Sequence, residues 1–247
     1  MIRLERTFTP MCLAPARTQA LVEEYKASGK AVWNFFELKE ALLRTSRDKC
    51  AYCECRLSRE CKYVEVEHYL DKNRNPDKVV TWDNLLPSCK RCNGEKGTHD
   101  SSAEPLVNPY QVDPRLHLGF RLYRLRPLTP LGDSTIEALN LNDPDRLVKV
   151  RFEVGEALHM AIHSASAILE SVRQKESRRT RNRLINQVRT LLLECQHDAA
   201  YSATCASVIH GDAEYLRLRD DMNDLGLWSD EFEALHQSSL SLALSTI

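Results

Sequence analysis

Between Ala16 and Arg44 apolar residues recur at three- and four-residue steps, through Ala20, Leu21 and Tyr25 and then Phe35, Leu38, Ala41 and Leu42. That spacing predicts helix, and "SGK" at 28–30 divides it into two. From Cys50 to about Gly97 the period vanishes. A β-prone run, "KYVEVEHYL", and the turn residues of "DKNRNPDK" lie there between two cysteine pairs. Pro105, Pro109, Pro114, Pro127 and Pro130 predict an extended connector, with a short strand in "GFRLYRLRPL". Helical spacing returns after Asp143, through Leu158, Ile162, Ala165, Leu169 and Val172, and again through Leu184, Val188, Leu191 and Leu192. Further helices are expected over 199–209, 212–224 and 229–243. The fold class this predicts is α+β and mostly α-helical. Its parts are a helical segment (1–48), a compact insert of another kind (49–99), and a Pro-rich connector with a helical region (100–247).

The 247 residues, 43% of them apolar, can bury a core as one large domain or two modest ones. Lys plus Arg (34) nearly cancel Asp plus Glu (35), so a basic surface for nucleic acid has to be local. The opening "MIRLERTFTPMCLAPARTQ" is too charged for a signal peptide, and no later stretch has the length of a membrane span. The expectation is a cytoplasmic protein that does not enter a membrane. An odd number of cysteines, nine, argues against a disulfide framework in that setting.

Their spacing points to metal. Cys50-x-x-Cys53 and Cys89-x-x-Cys92 are two knuckles separated by 35 residues, and each offers two thiolates to a tetrahedral Zn²⁺. A structural zinc would also supply folding free energy to a segment with little apolar content. Buried free thiols or a redox Cys-x-x-Cys are the competing readings, and the redox reading explains only one pair. Cys55 and Cys61 leave room for a shifted ligand set.

Between the knuckles, Glu67 and His68 end the β-prone run, Asn84 opens "NLLPSC", and Asn93 follows the last cysteine. With Asn84 and Asn93 nine apart, and with "CKRCNGEKG" as a helix start, the stretch resembles the zinc-bound form of the HNH, or ββα-metal, nuclease motif. The resemblance implies that His68 is the general base and that Asn84 orients its ring. It also implies that Glu67 and Asn93 hold a catalytic Mg²⁺ or Mn²⁺. Each role has independent chemical sense: imidazole titrates near pH 7, and Mg²⁺ prefers oxygen ligands and keeps several waters. Glu67 stands where Asp is common in the family and Asn93 where His is common; both keep an oxygen ligand. Lys90, Arg91 and Lys96, around a helix expected to begin near Asn93, are candidates for phosphate contact.

"CAYCECRL", "VEHY", "PLVNPYQVDPRLHLGF" and "TIEALNLNDPDRLVKVR" extend the resemblance over roughly 48–152, to the HNH proteins of retron and Septu antiphage systems, the PtuB-like family. That implies an effector endonuclease acting on nucleic acid, DNA in preference to RNA, beside an ABC-type, PtuA-like ATPase. The chain has no G-x-x-x-x-G-K-[ST] phosphate loop, so ATP dependence would come from that partner. An RNA or tRNA nuclease and a non-cleaving zinc adaptor for the ATPase are the alternatives. Arg173 to Arg189 holds seven cations and one acid, Glu176, and suits either a phosphate backbone or an acidic partner. His159 and His163 share a helix face without a third ligand, and Asp71 and His99 are reserve ligands near the motif.

Overall fold

Pro15 opens α1 (Pro15–Ser28), where a missing amide proton costs nothing, and Gly29 closes it in the left-handed conformation (φ 67°). After the expected break comes α2 (Phe36–Ser46), with Leu38, Ala41 and Leu42 as its buried stripe. The computed structural model describes residues 1–57, 64–175 and 177–246. They divide into two compact units, one of Met1–His117 with Pro127–Leu141, the other of Leu118–Arg126 with the chain from Asn142 on.

In the first unit, β1 (Glu65–His68) pairs antiparallel with β2 (Leu85–Ser88), His68 opposite Leu85 and Glu67 opposite Leu86. Helix α2 packs against both strands. Leu38 and Leu42 share one core with Val66, Val79, Trp82 and Leu85, so the helical segment and the cysteine-bracketed insert bury each other's apolar faces. Helix α3 (Lys90–Lys96) follows β2 directly and lies against β1. It begins three residues ahead of the expected start near Asn93, because the Cys89 sulfur takes the capping role and accepts the Cys92 amide at 3.4 Å. A helix the periodicity did not predict, α4 (Pro130–Ala138), starts where Pro130 reads as a breaker. Proline suits the first helical turn, and Thr129 caps it through the Gly132 amide.

In the second unit, β3 (Leu118–Arg121) has β4 (Arg124–Pro127) on one side and β5 (Ser245–Thr246), parallel, on the other. Leu122 and Tyr123 turn the chain between β3 and β4 with φ of 49° and 61°, a conformation that two-residue hairpins demand and these residue types resist. The Tyr123 ring is held on α5 (Lys149–Gln174) at Gly155, where an added Cβ would meet Tyr123 Cε1 at 2.3 Å. Around α5 pack α6 (Arg178–Leu193), α7 (Ser202–Gly211) and α8 (Ala213–Asp224), with α9 (Asp230–Leu240) against α6 and α7. Among the described residues no helix is long and apolar enough to cross a membrane.

Candidate functional site

The thiols of Cys50, Cys53, Cys89 and Cys92 are buried and lie within 4.8 Å of one another. Cys53 Sγ and Cys89 Sγ are 3.7 Å apart. Four sulfurs about 2.3 Å from one Zn²⁺ would form a tetrahedron with edges of about 3.8 Å, so this spacing fits that ion. Backbone geometry brings the knuckles together: the Ala51 amide donates to the Pro87 carbonyl at 2.9 Å and ties the first knuckle to β2. Burial alone opposes ionising so many thiols together. Cys53 and Cys92 are pushed well up, first by hydrogen bonding to Cys50, and a bound cation is what would let all four become thiolates. Cys55 is buried close to this group but outside the four-sulfur set, and Cys61 lies outside the described residues.

His68 ends β1, 5% exposed. Its Nε2 is 2.8 Å from the Val79 carbonyl. A carbonyl only accepts, so Nε2 carries the proton and Nδ1 keeps the lone pair. Burial holds the imidazole down to about 4, against the raising effect of that bond, so the ring is neutral at pH 7. Trp33, which nothing in the cysteine-bracketed motif signals, packs edge-on against the ring with centroids 4.5 Å apart. Asn84 does not touch the ring. Its Oδ1 accepts the Leu70 amide at 2.7 Å, and its Nδ2 donates to the carbonyls of Leu70 at 3.2 Å and Lys78 at 3.1 Å. It thereby fixes the peptide next to the Val79 carbonyl, and any orientation of His68 runs through backbone.

Glu67 is 2% exposed, with its Oε1 2.7 Å from Lys96 Nζ. Burial pushes the carboxyl up to about 7 against the pull of that ammonium. The contact lies off the hydrogen-bonding direction, and Oε1 has no hydrogen-bond donor in the structure. Lys96 donates instead to the His68 carbonyl at 2.8 Å. On α3, Asn93 Nδ2 donates to Glu65 Oε2 at 3.4 Å, which leaves Oδ1 as its ligand atom.

The three cations expected at phosphate have different surroundings. Lys90 is exposed. Lys96 is buried at 3% exposure, and its ammonium is taken up by Glu67 and the His68 carbonyl. Arg91 reaches the carbonyls of Leu139 at 3.3 Å and Asn140 at 2.5 Å, where α4 ends and a cation is favoured. Asp71 accepts the amides of Asn73 and Arg74 in the loop after β1, and His99 Nε2 meets the Glu104 carbonyl at 2.7 Å. In the second unit, His159 pairs with Asp212 at 2.6 Å and His163 with Glu214 at 3.3 Å, each with its own carboxylate.

These features define a mostly helical α+β protein with a four-cysteine site suited to zinc beside a buried Glu-His step. The chain is 40% identical over 248 residues to the Septu protein PtuB of Bacillus thuringiensis, a match spanning 98% of this chain and 93% of that one. It belongs to the PtuB family of Septu defence proteins. No protein-family profile and no solved structure matches it.

Proposed function

We propose that the chain is the effector nuclease of a Septu antiphage system, an HNH endonuclease that hydrolyses phosphodiester bonds in DNA and works in the cytoplasm beside an ABC-type, PtuA-like ATPase. The observation that carries this reading is the pose of His68. A neutral ring has its Nε2 proton committed to the Val79 carbonyl, and its Nδ1 lone pair is left as the base next to a buried carboxylate. His68 would take a proton from water as the water attacks phosphorus, and the 3′ oxygen would leave.

The residues present fit a hard divalent ion. Glu67 Oε1 accepts no hydrogen bond, and Asn93 Oδ1 is left over from the amide's contact with Glu65. Mg²⁺ or Mn²⁺ held there would offset negative charge gathering on the phosphoryl and leaving oxygens. Burial holds the Glu67 carboxyl up at about 7 against the pull of Lys96, and a cation bound there would favour the ionised, ligating form further. Asn84 supports the base through the loop backbone. The zinc site would hold β2 and α3 in place and take no part in the chemistry.

The test is cleavage of plasmid DNA and, separately, of total tRNA by the full chain in Mg²⁺ or Mn²⁺, alone and with its ATPase, comparing wild type with His68→Ala and with chelator present. Loss of plasmid cutting in His68→Ala, with zinc content and melting temperature unchanged, is the expected result. Plasmid cutting at the wild-type rate by His68→Ala, or none by wild type with the ATPase present, overturns the reading. Cutting of tRNA alone would move the substrate to RNA.

A further inference from the structure

The basic stretch at the start of α6 takes no part in the site described above. Arg178, Arg179, Asn182, Arg183 and Asn186 are exposed along one edge of a groove of ≈ 1070 Å³ on the second unit, over a floor that includes Leu158, Ala161 and Leu191. Three other arginines of this unit's surface are neutralised by acids. Arg173 meets Glu170 at 2.7 Å and Asp221 at 2.6 Å, Arg189 meets Glu231 at 2.8 Å, and Arg219 meets Glu233 at 3.1 Å. Among the described residues the side chains of Arg178, Arg179 and Arg183 make no ion pair or hydrogen bond. Glu176 lies outside those residues, and the acid lining the groove, Glu194, is 11 to 16 residues further along, about 16–24 Å at helical rise.

Their placement also costs stability. Arg178 and Arg179 open α6, whose first turn has no acid, so two cations sit at the positive end of the helix dipole. Each is unfavourable by about 0.3–1 kcal/mol unless an anion is present. An arginine set that is unpaired, exposed and opposed to its own helix is stabilised by a polyanion. Asn182, Asn186 and Gln187 line the groove beside these charges with amides, which bond phosphate and sugar oxygens, and no aromatic residue lines it to stack an unpaired base.

We infer that the Arg178–Arg179–Arg183 edge of this groove is a docking surface for the phosphate backbone of duplex DNA, separate from the cysteine-clamped site. The choice of DNA rests on the nuclease reading; the choice of a polyanion does not. Three arginines within six residues span about 8 Å of helix, over which a duplex presents several phosphates.

The experiment uses the full chain carrying His68→Ala, without divalent metal, so that binding is read apart from cleavage. Affinity for a fluorescent 20-base-pair duplex is measured by anisotropy between 50 and 300 mM KCl. With Arg178→Gln, Arg179→Gln and Arg183→Gln combined, the slope of log K against log salt should flatten by about 2.7, and affinity at 150 mM should fall on the order of 100-fold. The matching triple lysine variant should keep the slope, and Arg183→Gln alone should remove about 0.9 of it. Equal affinity and slope for the triple glutamine variant overturns the surface. So does a loss confined to tRNA or to an acidic partner protein. A chain in which His68→Ala still cuts plasmid would remove the nuclease reading and leave this binding result standing.

Discussion

Asn84 is the residue whose replacement the structure prices most directly. Its amide makes three hydrogen bonds to the loop that joins β1 to β2, to the Leu70 amide, the Leu70 carbonyl and the Lys78 carbonyl, and it is only 5% exposed. Asn84→Ala removes all three at once. At a net worth of about 1 kcal/mol each, the loss is about 3 kcal/mol. For a chain of this size that should lower the melting temperature by about 6–12 °C. Asn84→Asp is the sharper control: it keeps an acceptor for the Leu70 amide but turns a carboxylate toward two carbonyl oxygens. It should therefore be at least as destabilising as alanine at pH 7 and should recover part of the loss at pH 4. The assay is urea and thermal unfolding of the zinc-loaded full chain, followed by circular dichroism. A melting point within 2 °C of wild type for Asn84→Ala would refute the bracing role, and with it the route by which Asn84 positions the Val79 carbonyl beneath His68.

Two further outcomes can be checked on the same protein. Purified chain should contain one Zn²⁺, and Cys89→Ser or a strong chelator should remove it and unfold the first unit, since structural zinc contributes about 10–16 kcal/mol where a domain's whole stability is about 5–15; a metal-free Cys89→Ser protein with the wild-type melting curve would refute this. In the second unit, burial holds His210 down to about 4, with His236, itself lowered by burial, next to it at 4.7 Å between ring centroids. The unfolded chain binds these protons first, from about pH 6.5, so stability should fall on acidification from 6.5 toward 4 and flatten below it. Melting temperatures at pH 7.5, 6 and 5 test this, and a wild-type curve no steeper than that of His210→Gln would count against it.

The helices were legible because their signal is local. The 3.6-residue period marked α1, α2, α5 and α6, and Gly29 stands at the break that "SGK" gave away. The doubled Cys-x-x-Cys spacing picked out the four thiols that converge. Other features were illegible because they depend on partners distant in the chain. Lys96 reads as a free cation four residues past a cysteine, and its burial against Glu67 follows from α3 packing on β1. Arg91 bonds to the end of α4, nearly fifty residues on, and Trp33 covers His68 from the other side of the cysteine-bracketed segment. A proline hid α4, since the same residue opens one helix and breaks another. The start of α3 was misplaced because sulfur is an uncommon cap.

Three braces of different chemistry converge on β1 and β2, and the reason lies in how little this hairpin can do for itself. Two strands of four residues, joined by a loop of turn residues, are not stable alone in water. The face that turns toward α2 carries Val66 and Leu85 into the shared core. Glu67 and His68, on the same strand, need the opposite treatment, because a carboxylate and an imidazole are buried there without a complete set of partners. Hydrophobic packing cannot position such groups, as it has no direction. Asn84 and Lys96 supply direction through hydrogen bonds and charge, and the four thiols would supply it through a metal whose geometry is fixed. Two atoms are left open among them, Nδ1 of His68 by tautomer and Oε1 of Glu67 by angle, and those two atoms are what a water and a cation would need.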